Sequence, residues 1–199
     1  KGCQLFDVRH PGKTFDVGRG HKRSGNRLLT VGTDTSVGKM FTTLAIEKEM
    51  RTRGANCTFR ATGQTGIFIA GEGVSVDAVV ADFISGSTEW LCPENDADHW
   101  DLIEGQGSIH HASYAGVTLG LIHGSQPDLL VVCHDPGRPH MRGTPSIPVH
   151  SLTDTIRACE QVARLTNPRV QTVGVSINTS NLSNADRERE LKAAADETG

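Results

Sequence analysis

Val31-Gly32-Thr33-Asp34-Thr35-Ser36-Val37-Gly38-Lys39 links a short apolar run, Leu28-Leu29-Thr30-Val31, to a segment of helical composition that meets no Gly or Pro until Gly54. Strand, glycine-containing loop and helix in that order make a phosphate-binding loop, where consecutive backbone N–H groups and a helix N-terminus converge on an anion. Gly32 and Gly38 permit tight turning and close backbone approach, and Lys39 brings a mobile ammonium to phosphate oxygens. Gly32 lies one residue too far from Gly38-Lys39 for the standard spacing, and Met40 stands where a Ser or Thr usually meets magnesium. Anion binding by Gly32, Thr33, Asp34, Thr35, Ser36, Val37, Gly38, Lys39 and Met40 is the expectation. Magnesium-dependent nucleotide chemistry is the weaker inference, and it needs Thr42 or Thr43 to replace the missing hydroxyl.

Working outward, residues 57–62, 99–103, 128–133 and 170–177 read as further strands, and 40–53, 76–90, 151–166 and 185–198 as helical. In the first helix Phe41, Leu44, Ala45 and Lys48 recur at i, i+3, i+4 and i+7, which predicts that this stripe faces the core. Asp128-Leu129-Leu130-Val131-Val132-Cys133 is nearly continuous in apolar residues, as a strand buried on both faces should be. Ser151 is a helix cap with Asp154 as the acidic third residue. Residues 145–148 read as loop. The alternation predicts an α/β fold of the P-loop NTPase-like kind, a parallel sheet with helices on both faces. Right-handed crossovers then gather five loops on one edge, at the carboxyl ends of the strands: 33–39, 63–66, 104–108, 134–142 and 178–181.

Those loops supply the candidate side chains. Glu104, at a strand end downstream of the phosphate loop, is placed to hold a metal or its water. His134 and His140 can act as general bases near neutral pH, and Arg138 and Arg142 suit carboxylate or phosphate oxygens. The plainer reading of this loop is one stapled by its own arginine and Asp135. Gln64, Thr65 and Gln106 are the polar side chains of the adjoining turns. Adjacent residues diverge on a helix or strand, so His110 and His111 are not assigned a shared metal. Cys133 sits inside a buried strand without an activating neighbour and is not read as a nucleophile.

The 199 residues support one ordinary domain, and 36% apolar content suffices for its core. A net charge of −3 with interspersed signs, and only 5% aromatic residues, argue against nucleic acid and for a small-molecule partner. No apolar run approaches the roughly 20 residues that span a bilayer, and the first 20 residues lack a signal-peptide core. A cytoplasmic protein without membrane contact is expected. The five cysteines include no C-x-x-C pair, so they read as packing thiols. A homo-oligomer is compatible with the sequence. Residues 1–26 read as a linker, with Leu5-Phe6-Asp7-Val8 and Phe15-Asp16-Val17 strand-like within it. Arg19, His21, Lys22, Arg23 and Arg27 form a basic cluster, read as a solvated face or as lying near a polyanion.

Two resemblances add to this reading. Gly32-Thr33-Asp34-Thr35-Ser36-Val37-Gly38-Lys39 resembles the loop of the dethiobiotin synthetase group of ATP-using enzymes. A longer likeness covers about residues 27–181 and runs through Leu28-Leu29-Thr30-Val31-Gly32-Thr33-Asp34 with Val37-Gly38-Lys39-Met40, Ala61-Thr62-Gly63-Gln64-Thr65-Gly66, Val76-Asp77-Ala78-Val79-Val80-Ala81-Asp82-Phe83, Glu104-Gly105-Gln106-Gly107-Ser108, Gly120-Leu121-Ile122-His123-Gly124-Ser125-Gln126-Pro127-Asp128 and His140-Met141-Arg142-Gly143. It is similar to a family of two-domain bacterial and archaeal proteins, long catalogued as of unknown function, some of them D-glutamate N-acetyltransferases. In that family Met40 is ordinary. The resemblance implies a P-loop α/β domain over 27–199 that lacks its last element, with 1–26 a remnant of the join to a preceding Rossmann-like domain. It also implies acetyl transfer from acetyl-CoA to the amino group of an acidic D-amino acid, D-glutamate being the one expected. Residues 32–39 would then cradle CoA phosphate, Arg138 or Arg142 would clamp a substrate carboxylate, and Glu104 or His134 would deprotonate the ammonium. No metal is assigned under this reading. The competing readings are a ligase or kinase using ATP and magnesium, with Glu104 on the metal, and a non-catalytic nucleotide-binding module.

Overall fold

The computed structural model describes residues 2–5 and 7–199. Five parallel strands form the central sheet: β1 (Asn26–Gly32), β2 (Cys57–Arg60), β3 (Trp100–Ile103), β4 (Leu129–His134) and, last in the chain, β7 (Gln171–Ile177). Their spatial order is β2-β3-β1-β4-β7, so the strand that leads into the phosphate loop is central. Between them the chain forms α1 (Lys39–Thr52), α2 (Gln64–Ala70), α3 (Ile84–Leu91), α4 (Ala115–Ser125) and α5 (Leu152–Ala163), and α6 (Asn184–Thr198) follows β7. A two-strand hairpin, β5 (His140–Met141) and β6 (Thr144–Pro148), stands apart from the sheet.

Alternation along the strands sends side chains to both faces. Leu29, Val31, Leu130 and Val132 pack with Leu121 and Ile122 of α4 and Cys159 of α5, while Leu28, Leu102 and Val131 meet Ile46 and Met50 of α1. Helices therefore cover both faces, as the strand–helix alternation predicts. Ser151 caps α5 by accepting the Asp154 N–H at 3.0 Å.

Several local expectations are corrected. The inward side of α1 is Lys39 and Thr43, flanked by Met40, Leu44, Ile46 and Met50, whereas Phe41 is 76% exposed and Ala45 and Lys48 face water. The sheet under this helix is lined by small polar Thr30, so threonine, not an aromatic ring, fits at the closest approach. Residues 76–90 are not one helix: two 3-10 turns precede α3, and Val79 and Val80 between them are extended, the conformation β-branched side chains favour. Residues 145–148 belong to strand β6. The basic cluster divides: Arg19, His21 and Lys22 are exposed, as a solvated face should be, whereas the Arg27 side chain is fully buried on the carbonyls of Arg23, Ser24 and Pro93, and the half-buried Arg23 donates to those of Cys92 and Gly124. Residues 15–25 thus lie along α3 and α4, with the Arg19 and Gly20 N–H groups on Glu89. Phe15-Asp16-Val17 forms no strand, and the other strand-like stretch contains Phe6, outside the described residues.

The contrast between the sheet surface that α1 covers, at Leu102 of β3, and the exposed side of α1, at Phe41, is measurable. Leu102→Ala, which empties a fully buried site, is expected to lower unfolding free energy by about 2–5 kcal/mol. Phe41→Ala is expected to stay within about 0.5 kcal/mol. Chemical denaturation of the two variants checks this, and a large loss in Phe41→Ala would contradict the packing described.

Candidate functional site

All five loops named from the sequence lie at the carboxyl edge of the sheet, and hydrogen bonds join them. The phosphate loop leaves β1 at Gly32 and enters α1 through Gly38, whose φ of 106° is a conformation that favours glycine. Lys39 is buried, and its Nζ turns back to donate to the Asp34 carbonyl at 2.8 Å. Burial pushes its ammonium down to about 8, so an anion brought beside it has a strong local reason to bind.

Asp34 joins this loop to the hairpin. Its Oδ1 accepts the Thr35 N–H at 2.6 Å, and its Oδ2 accepts from Arg138 Nη1 at 3.0 Å and from the Arg142 N–H at 2.9 Å. Arg138 also donates to the carbonyls of Thr35 at 2.6 Å and Ser36 at 2.8 Å, and it pairs with Asp135 at 3.2 Å. Its guanidinium is therefore committed to the protein. Arg142 is the opposite case: its backbone is fixed, but among the described residues its exposed guanidinium has no partner. His111 sits underneath, fully buried. Its Nδ1 accepts the Ser113 N–H at 3.1 Å, which leaves the proton on Nε2 for the Arg142 carbonyl at 2.9 Å.

Glu104 lies on the other side of the phosphate loop, at the end of β3. Its Oε2 accepts the N–H groups of Thr62 at 2.9 Å and Gly63 at 3.1 Å, while Oε1 lies next to Gly63 and the Gln106 amide. Burial pushes its carboxyl above the ordinary range, and the two backbone hydrogen bonds oppose that only in part. One oxygen is thus anchored on a carboxyl whose proton affinity is raised, which is what a positioned general base requires. Gln64 and Thr65 are exposed on the first turn of α2 beside it, and Gln106 donates to Thr62 Oγ1 at 3.2 Å. Gly66 of that helix presses on the Glu104 carboxylate so closely that a Cβ would collide with Oε2. Gly66→Ala is therefore expected to displace Glu104 and to lower turnover at least about tenfold with the fold retained. A variant of unchanged rate would show that the carboxylate has no catalytic placement to lose.

His134 ends β4 with Nδ1 at 2.8 Å from Thr33 Oγ1, and burial holds its ring below the usual histidine range, so it is neutral at pH 7. His140 is exposed on β5 and makes no side-chain hydrogen bond to the other loops among the described residues. Met40 packs with Phe59, Ala61 and Ile67. Both nearby threonine hydroxyls are engaged within the protein. Thr42 Oγ1 is 2.9 Å from Ser176 Oγ, and Thr43 Oγ1 is 2.9 Å from Thr30 Oγ1 while donating to the Lys39 carbonyl at 2.8 Å.

Residues not picked out from the sequence also build the site. Ser108 donates to the Thr33 carbonyl at 3.2 Å and Thr30 Oγ1 accepts the Gly105 N–H at 3.0 Å, so both tie the β3 loop to the phosphate loop. Ser108 closes a glycine-rich turn, which was a usable signal. Nothing local in the sequence marks His111 as a support for Arg142, because 31 residues separate them.

A central strand feeding a glycine-bounded loop with an inward lysine, in an all-parallel sheet covered on both faces, defines a P-loop α/β protein. The chain belongs to the DUF1611 family: the model described as a domain of unknown function, DUF1611_C, P-loop domain, matches residues 15–199. It is similar to two proteins named D-glutamate N-acetyltransferase. One, from a Pseudoalteromonas species, is 56% identical over 90% of this chain and 54% of its own length. The other, from Tritonibacter scottomollicae, is 53% identical over 96% of this chain and 57% of its own. The chain thus spans about half the length of these curated relatives. Its structure resembles the crystal structure of a DUF1611 family protein from Anabaena variabilis, with a TM-score of 0.90 and 37% identity, over 98% of this chain and 58% of that one. No helix among the described residues is long and apolar enough to cross a membrane.

Proposed function

We propose that this domain serves an N-acetyltransferase that moves an acetyl group from acetyl-CoA to the amino group of a D-amino acid, D-glutamate by analogy with its relatives' names. The observation that carries the reading is the set of groups around the phosphate loop. The loop offers backbone donors and a buried ammonium, but Met40 packs inward and the hydroxyls of Thr42 and Thr43 are bound to other side chains. Such a loop suits the phosphates of CoA, which need recognition without metal-assisted cleavage.

On this reading Lys39 and the loop hold the CoA phosphates. Glu104 takes a proton from the substrate ammonium, and the freed amine attacks the thioester carbonyl. The C–N bond forms, the C–S bond breaks, and the CoA thiolate leaves to be protonated. His134 is the weaker candidate base, since its Nδ1 is already engaged by Thr33. Arg142, fixed by its backbone and with a free guanidinium, meets a substrate carboxylate, and Gln64, Thr65, Gln106 and His140 line the approach. The protein acts in the cytoplasm, where acetyl-CoA is available.

The test is thiol release by the full-length protein given acetyl-CoA with D-glutamate or L-glutamate, each with and without magnesium. Release that requires the D-isomer and ignores magnesium is expected. No release, together with magnesium-dependent ATP turnover, would replace this reading with the ligase or kinase one.

A further inference from the structure

What a phosphate loop offers an anion depends on which way its peptides face. In a trans peptide the C=O and the following N–H point in opposite directions. The Asp34 carbonyl points onto the Lys39 ammonium, so the Thr35 N–H points away from it and is caught by the Asp34 carboxylate. The next two peptides are turned over. The carbonyls of Thr35 and Ser36 are both held by the Arg138 guanidinium, so the N–H groups of Ser36 and Val37 point away from it, on the side left open to an anion. The turn requires Ser36 at φ 53°, a left-handed conformation that is unfavourable for a residue with a Cβ and persists only when its surroundings hold it. Alternating hand along consecutive residues is how backbone N–H groups form an anion-binding nest.

From this we propose that Arg138 is a positioning residue, whose fork on the Thr35 and Ser36 carbonyls, anchored by Asp34 and Asp135, holds the phosphate loop in its anion-binding form. It does not touch the amino-acid substrate. Asp34 is tolerated inside a loop meant for anions because its carboxylate oxygens are taken up by Thr35 N–H, Arg142 N–H and Arg138. The inference rests on the phosphate-loop part of the proposed function and not on the identity of the acyl acceptor. A lysine at 138 would keep the charge but could not grip two carbonyls with a planar fork.

The experiment compares wild type, Arg138→Gln, Arg138→Lys and Arg142→Gln in the full-length protein. CoA and, separately, ATP are titrated calorimetrically, and KM is measured for acetyl-CoA and for the amino acid. Arg138→Gln is expected to weaken binding of the loop's ligand about tenfold or more and to leave the amino-acid KM unchanged. Arg138→Lys should recover part of the loss, and it carries the test if the glutamine variant does not fold. Arg142→Gln should show the reverse split. Wild-type CoA affinity in Arg138→Lys or Arg138→Gln, or an effect on the amino-acid KM alone, would overturn the proposal. If wild type binds ATP and not CoA, the same split read with ATP supports the positioning role while the acetyl-transfer reading fails.

Discussion

Replacing Lys39 with Met is expected to weaken ligand binding at the phosphate loop strongly and at the same time to make the unliganded protein more stable at neutral pH. The first effect is the loss of charge-assisted hydrogen bonds to phosphate, each on the order of 1.5–3 kcal/mol, so affinity should fall about a hundredfold. The second follows from burial. The ammonium is inside the protein and burial brings it down from 10.5 to about 8. Between those values the unfolded chain binds the proton that the folded chain has released, so stability rises with pH across the window. Below it, the buried charge subtracts on the order of 3 kcal/mol. Met restores most of this but leaves the Asp34 carbonyl without its donor, for a net gain of about 2 kcal/mol, or about 4–8 °C in melting temperature. The gain should fade as pH rises from 8 past 10. Thermal melts at pH 7 and pH 10 measure it, and a variant destabilised equally at both would show that the lysine is not held under desolvation strain.

The second large effect is expected at Glu104. Glu104→Gln should lower kcat by about a hundredfold to ten-thousandfold, the usual worth of a positioned general base, with acetyl-CoA affinity unchanged because the loop is untouched. The pH dependence has a definite sign. Burial raises the folded carboxyl above 4.5, so the rate of the wild type should fall with acidification at a pH above the ordinary carboxylate range. The same shift means that the stability contributed by the protonated form is present below 4.5 and lost as pH rises through the folded value. Glu104→Gln should therefore be stabilising at pH 7 and lose that advantage in acid. Retained kcat in this variant, with His134→Gln inactive, would move the base to the opposite side of the loop.

Much of the fold was legible because its determinants are local. Apolar strands such as residues 128–133 and the glycines at 32 and 38 announce a parallel sheet and its phosphate loop, and the family relationship agrees with the resemblance carried by residues 27–181. Which face of α1 turns inward was not legible. Of the periodic stripe, Leu44 packs inward while Phe41, Ala45 and Lys48 face water, because burial there is decided by Thr30 across the interface, not by spacing within the helix. The candidate site shows the same division. Glu104 could be picked out from its place at a strand end, since that depends on one strand and its turn. The different situations of Arg138 and Arg142 could not, because both lie in one polar loop and differ only in what residues about a hundred positions away offer them. The sequence reading of a loop stapled by its own arginine and Asp135 captured part of this; the larger share of that staple reaches across to residues 34–36.

The most direct test is calorimetric titration of the full-length protein with acetyl-CoA in the presence and absence of magnesium, with ATP titrated in parallel. Acetyl-CoA binding of the same affinity under both conditions, weakened about a hundredfold in Lys39→Met, is the predicted result. Binding of ATP alone, and only with magnesium, would contradict the account.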